Sequence, residues 1–218
     1  MQRTITIDAK SNLSVKPDKT CVILTLNDKS KSYQEILKKS AEDLNIVVNS
    51  LKEVGFLREE LRTSYFTINQ KKDGHYEQNK YVIDFDGFEY IENIRIEFTN
   101  NNELINKILV TLANISLKVE VAINYFIGDV TSKNRELEAL AIKEATEKAL
   151  SLTKVAGVKL GKILSIECLD DSNVFSTNDV MIMNNLRSAK GVTQSFNVDM
   201  EPENIKLTKL VKLVYEIE

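Results

Sequence analysis

The residues able to do chemistry in this 218-residue chain are one histidine, two cysteines and 32 carboxylates. His75 follows Gly74 in the polar run Gln70-Lys71-Lys72-Asp73-Gly74, which reads as a hairpin tip. A general base there would sit on a loop, so a catalytic His75 is not expected. With a single histidine and no thiolate cluster, no transition-metal ligand set is expected either. Cys21 and Cys168 lie in the apolar runs Val22-Ile23-Leu24 and Ile163-Leu164-Ser165-Ile166, which predicts two buried reduced thiols. No CxxC occurs, which excludes a zinc ribbon or thioredoxin-type site. A disulfide would require the two strands to be neighbours.

Three further patterns come close to a motif. Gly157-Val158-Lys159-Leu160-Gly161-Lys162-Ile163 resembles a phosphate loop. It has one residue too few between the glycines, no Ser or Thr after the lysine, and it runs from helix into strand. The carboxylates Asp84 and Asp86, Asp170 and Asp171, and Glu201 and Glu203 lie in no apolar setting that would tune them for acid–base work, so they read as solvated. In Asp86-Gly87-Phe88-Glu89-Tyr90-Ile91-Glu92-Asn93, Phe88 and Tyr90 have the spacing of the base-stacking aromatics of an RNA-recognition motif. Asp86 stands where a basic residue belongs, Glu89 where a small one does, and Asn93 where the last aromatic does. Acidic groups beside a stack repel phosphate. The chemistry-bearing residues therefore predict no enzyme activity, no cofactor, no metal and no nucleic-acid partner.

The elements that position these residues follow from periodicity. Hydrophobic residues make up 43% of the chain, and 29 basic against 32 acidic residues leave a net charge of −3. This composition excludes disorder, and with 7 Gly and 2 Pro also a collagen-like chain. Strands are predicted for Met1–Asp8, Cys21–Asn27, Leu61–Asn69, the segment around Phe88–Phe98, Leu117–Ile127, Lys162–Leu169, Gln194–Met200 and Ile205–Ile217. A first helix opens at Ser32, with Glu35 placed for a capping box. Its apolar stripe is Ile36, Leu37, Ala41, Leu44, Val47, Val48, Leu51 and Val54, and Gly55 ends it. A second starts near Asn100 with the stripe Leu104, Ile105, Ile108, Leu109 and Leu112. A third runs from about Ser132 to Ala156, stops at Gly157, and carries Ala139, Ala141, Ala145 and Ala149.

From Thr20 to Ile127 the order is β-α-β-β-α-β, the ferredoxin-like split βαβ. The fold class is α+β: a ferredoxin-like subdomain, residues 12–128, packed against a smaller α+β subdomain, residues 1–11 plus 129–218. The second subdomain has one long helix and antiparallel strands, the first strand of the chain joining the late ones. No apolar stretch approaches a membrane span. As written the chain carries no signal peptide and reads as cytoplasmic, or as exported if a leader has been trimmed.

The connection Asp170–Gly191 is long enough to be functional. It carries Phe175, Val180, Met181, Ile182 and Met183, which are the candidate interaction residues, because exposed apolar patches mark interfaces. The expected partner is a second copy of the chain.

Read end to end, the chain resembles the SIMPL-domain family. The likeness rests on Val15-Lys16-Pro17-Asp18-Lys19 before the strand at Cys21, and on Gly55-Phe56-Leu57 followed by Leu61–Ile68. It continues in the Ala-punctuated helix from Glu136 ending Ala156-Gly157-Val158-Lys159-Leu160-Gly161-Lys162-Ile163-Leu164-Ser165-Ile166, and in Glu201-Pro202-Glu203 before an alternating strand to Ile217. The resemblance implies a bacterial, non-catalytic, oligomer-forming protein, linked in some relatives to stress tolerance or the cell envelope. It supplies no catalytic residues. The alternative reading is a small-ligand binding protein, with a pocket between the sheet of one subdomain and the Ala-rich helix of the other.

Overall fold

The computed structural model describes residues 3–77, 80–169, 181–183 and 200–218, with 75–77, 80–82 and 181–183 described by their backbone alone. In chain order the elements are β1 (Thr4–Val15), β2 (Lys19–Ser30), α1 (Tyr33–Val54), a 3-10 turn (Arg58–Glu60), β3 (Arg62–Glu77), β4 (Lys80–Thr99), α2 (Asn102–Ala113), β5 (Val119–Phe126), α3 (Val130–Ala156), β6 (Leu160–Leu169), β7 (Met181–Met183) and β8 (Ile205–Ile217). The fold is α+β with two antiparallel sheets. Their strand orders are β1-β8-β6 and β3-β4-β2-β5-β7. The described residues form two compact units, one of 3–18, 126–169 and 202–218, the other of 19–77, 80–125, 181–183 and 200–201.

In the unit beginning at Lys19, alternation sends Val22, Leu24 and Leu26 of β2 to the same face as Tyr90, Ile94 and Ile96 of β4, all buried. Helices α1 and α2 close this face, burying Ile36, Val47 and Leu51 from one and Ile105, Ile108, Leu109 and Leu112 from the other. The buried line of α1 is Ile36, Ser40, Asp43, Val47 and Leu51, while Leu37 is 41% exposed. The stripe is thus turned from the predicted one, and it takes in two polar residues. Ser32 accepts from the Glu35 N–H at 3.5 Å, as a helix cap should. The reverse arm of the expected capping box runs through Ser30: its hydroxyl donates to Glu35 Oε2 at 2.6 Å and accepts from the Ser32 N–H at 3.2 Å. Gly55 ends the helix at φ 106°, a left-handed position. Helix α2 is capped by Asn101, whose side chain accepts from the Leu104 N–H.

The β3–β4 hairpin is longer than predicted. The two strands stay paired from Arg62↔Arg95 to Glu77↔Lys80. His75 is therefore a strand residue opposite Val82, not a loop residue. On the β3 side of this ribbon the polar residues Gln70–Gly74 carry no apolar period, and so that segment reads as a turn. Strand β2 accompanies β4 only as far as Ser30↔Phe88, so beyond that pair β4 has, among the described residues, β3 alone. At this change Gly87 adopts φ 115°, and the β3–β4 register slips between Lys71 and Lys72, leaving Asp86 as the extra residue of a bulge. Lys31 Nζ donates to Asp86 Oδ1 and to its carbonyl oxygen, both at 3.0 Å.

The other unit is a three-stranded sheet with β8 at its centre and α3 on one face. Strands β1 and β8 pair from Thr4↔Glu216 to Val15↔Ile205, so the first strand does join the late ones and runs beyond the predicted Asp8. Ala141, Ala145 and Ala149 are fully buried against Ile7, Ala9, Val211, Leu213 and Tyr215. Small side chains at this four-residue repeat let the helix axis approach the sheet closely. The Ser11 hydroxyl donates to the Leu137 carbonyl at 2.8 Å, and the Thr146 and Tyr215 hydroxyls lie 2.8 Å apart. Helix α3 starts before the predicted Ser132, because Asp129 accepts from the Ser132 N–H and serves as the cap. It stops at Gly157, φ 70°. A Cβ on Gly161 would come 3.0 Å from the Glu216 carbonyl oxygen. Both glycines of the phosphate-loop lookalike thus answer to helix termination and strand packing. Among the described residues, no helix is long and apolar enough to cross a membrane.

Candidate functional site

The predicted interaction residues fall largely outside what the structure describes. Phe175 and Val180 lie outside the described residues. The backbone of Met181, Ile182 and Met183 forms β7, which pairs antiparallel with β5 as Ile123↔Met181, Ala122↔Ile182 and Val121↔Met183. The predicted strand Gln194–Met200 lies outside the described residues apart from Met200, which packs against the core of the unit beginning at Lys19.

The chemistry-bearing residues are placed as follows. Both cysteines are free; Cys21 is buried as predicted, and Cys168 is exposed, which corrects the second half of that expectation. Burial pushes the Cys21 thiol above its usual range, with Glu97 adding to the rise and Arg95 opposing it. Tyr90 is 1% exposed, and Phe88 packs against the same helix-covered core. The ring of Phe88 meets Tyr33 and Phe85 edge-on at 5.4 and 5.2 Å. The two aromatics of the RNA-motif lookalike therefore face inward and present no open stacking platform.

Two carboxylates that form no motif in the sequence, Asp43 and Glu92, are buried. Asp43 of α1 is 6% exposed and accepts the Tyr90 hydroxyl at 2.5 Å. Glu92 of β4 is 4% exposed and accepts the Thr63 hydroxyl at 2.9 Å. Position could have revealed both: Asp43 shares the helical repeat of Ile36, Val47 and Leu51, and Glu92 the strand parity of Tyr90, Ile94 and Ile96. Each is tied to a hydroxyl of its own unit: Asp43 and Tyr90 brace α1 to β4, and Glu92 and Thr63 tie β4 to β3.

Burial pushes the Glu92 carboxyl above the usual carboxylate range, opposed in part by the Thr63 hydroxyl and the Arg58 guanidinium. A raised folded-state value means that the fold holds this proton more tightly than the unfolded chain does. The contribution is fully favourable below the unfolded value of about 4.3, and it is lost as pH rises through the folded value. Glu92→Gln should therefore melt at a higher temperature than the parent at pH 8, the gap closing toward pH 4. Thermal unfolding across that range checks this, and parallel curves would contradict it.

A charged cleft of about 520 Å³ is lined by Glu59, Glu60, Arg62, Arg95 and Glu97. Arg95 Nε already pairs with Glu97 Oε1 at 2.6 Å, so part of its charge is met internally.

The larger departure from a sealed surface is β6. It ends the sheet order β1-β8-β6, so one of its edges lacks a strand partner among the described residues. Its pairing sets Ile163 opposite Tyr215, Ile166 opposite Leu213 and Cys168 opposite Val211, which are the β8 residues covered by α3. The β6 side chains on this face are not covered: Ile163 is 44% exposed, Ile166 50%, and Cys168 is exposed. Leu164 and Leu169 are 40% exposed as well. Edge β1 of the same sheet differs. Its Ile7, Ala9 and Ser11 are buried under α3, and Lys148 Nζ donates to the Asp8 carbonyl at 3.1 Å.

A family model described as SIMPL, a protein of unknown function (DUF541), matches residues 5–215. No curated protein matches the chain.

Proposed function

The chain belongs to the SIMPL family (DUF541), whose function is unknown, and from that premise we propose that it is a non-catalytic interaction protein that self-associates. The observation carrying this reading is β6, an edge strand with uncovered Ile163, Leu164, Ile166 and Leu169. An unpaired strand edge is a template for another chain. Clustered apolar exposure marks association surfaces. The absence of chemistry is part of the proposal: the buried carboxylates Asp43 and Glu92 are each engaged by a hydroxyl, and Asp86 by Lys31.

The ligand-binding alternative has less behind it. The Ala-rich face of α3, expected to border a pocket, is filled by the sheet of its own unit, with Ala141, Ala145 and Ala149 fully buried. A link to stress tolerance or the cell envelope, and the ferredoxin-like description of the unit beginning at Lys19, belong to the same proposal; the strand order β3-β4-β2-β5 supports the latter. Light scattering of the full chain from low to high micromolar concentration tests the reading. The expected result is a mass that grows to a defined multiple of 24.8 kDa. A constant monomer mass at every concentration would overturn it.

A further inference from the structure

We propose that the partner of the β6 edge is β6 of a second copy, paired antiparallel about a twofold axis between Leu164 and Ser165. This deepens the self-association reading and rests on it. In that register the Lys162 of each copy lies opposite the other copy's Glu167, Ile163 opposite Ile166, and Leu164 opposite Ser165. An antiparallel pair places opposed side chains on the same face, and the faces agree. Ile163 and Ile166, three residues apart, both lie on the α3 side, opposite Tyr215 and Leu213, because the β6 register slips between Ile163 and Ser165 and leaves Leu164 as the extra residue. Glu167 lies on the other side, opposite Lys212, and Lys162 reaches toward that side, its Nζ 3.9 Å from Glu216. The contact is therefore apolar on one face and joined by two complementary charge pairs on the other. An isologous twofold interface requires this self-complementarity. Charges on an edge strand ordinarily repel a second copy; here their spacing makes them attract. The segment 162–167 contains no proline to interrupt pairing along its outer edge.

The other edge of the same sheet fits less well. In β1 the inward residues are already covered by α3, and Lys148 occupies the Asp8 carbonyl, so a second copy gains no apolar burial there.

The test uses the full chain and two charge reversals, Lys162→Glu and Glu167→Lys. Each variant alone opposes like charges twice across the twofold, and its self-association should weaken roughly ten-fold, the scale expected from turning two cross-strand charge pairs from attractive to repulsive. An equal mixture of the two variants restores complementarity at both pairs, because one copy then carries carboxylates at both positions and the other carries lysines at both. The mixture should associate as tightly as the parent, measured by sedimentation velocity, with circular dichroism confirming that each variant is folded. A parent that associates while neither variant weakens, or a mixture no tighter than its components, would overturn the β6 pairing and leave self-association standing. A parent that never associates would overturn both.

Discussion

Gly87→Ala is expected to lower the unfolding free energy by about 3 kcal/mol, the upper end of what a strained backbone position costs. Two effects add at this residue. The backbone holds φ 115°, where an L side chain is strained. A Cβ there would also stand 2.5 Å from the Ser30 carbonyl oxygen and 3.1 Å from its carbonyl carbon, and both belong to backbone that cannot rotate away. Gly55 separates the two effects. Its φ is 106°, but a Cβ on it would meet nothing within 4 Å. Gly55→Ala should therefore cost only the conformational part, about 1–2 kcal/mol. Urea unfolding of both variants, followed by far-ultraviolet circular dichroism, gives the comparison. Equal costs would mean that Ser30 yields freely, and that the close passage of β2 past the bulge is not a constraint on the sheet.

The same bulge shows where sequence reading stops. Strand parity located the inner half of β4, β5 and β8, because in each a covered face forces an apolar period of two, whereas β2 shows as a nearly continuous apolar run. The outer half of the hairpin has no covered face, so Gln70–Gly74 carries no period and only cross-strand pairing makes it strand. Helix ends were legible because caps are local: Ser32 and Gly55 for α1, Gly157 for α3. The reach of Ser30 into the cap of α1 was not, since it depends on how β2 delivers the chain to the helix.

The candidate surface was half legible for a related reason. An apolar run such as Ile163–Ile166 announces a strand, and a strand beside a helix is expected to be covered. Helix α3 lies over β1, β8 and the first residue of β6, Leu160, and leaves the rest of β6 open among the described residues, a fact about helix placement that the β6 residues do not encode. Cys168 was misread as buried on the same ground. Asp43 and Glu92 erred in the opposite direction. Their charge argued for solvent while their positions argued for the core, and position decided because each finds a hydroxyl there.

That resolution sets the second large effect. Tyr90→Phe should destabilise the chain by about 3 kcal/mol, the loss expected when a buried charged acceptor loses its hydrogen-bond donor. The phenol and the Asp43 carboxylate are 2.5 Å apart, and the residues are 1% and 6% exposed, so water has little access to replace the missing hydroxyl. Burial, and then the Asp43 carboxylate, hold the Tyr90 phenol well above its usual range, so it keeps its proton and acts as the donor at every ordinary pH. Asp43→Asn keeps an acceptor for that hydroxyl and should cost less. The double change Tyr90→Phe with Asp43→Leu removes both polar partners, and it should recover most of the loss, because matched apolar replacement of a buried hydrogen-bonded pair is nearly neutral. Denaturant unfolding of the singles and the double closes the cycle. Additive losses would show that the two groups do not act together, and the brace between α1 and β4 would then have to rest on Ile36, Val47 and Leu51 packing against Ile94 and Ile96 alone.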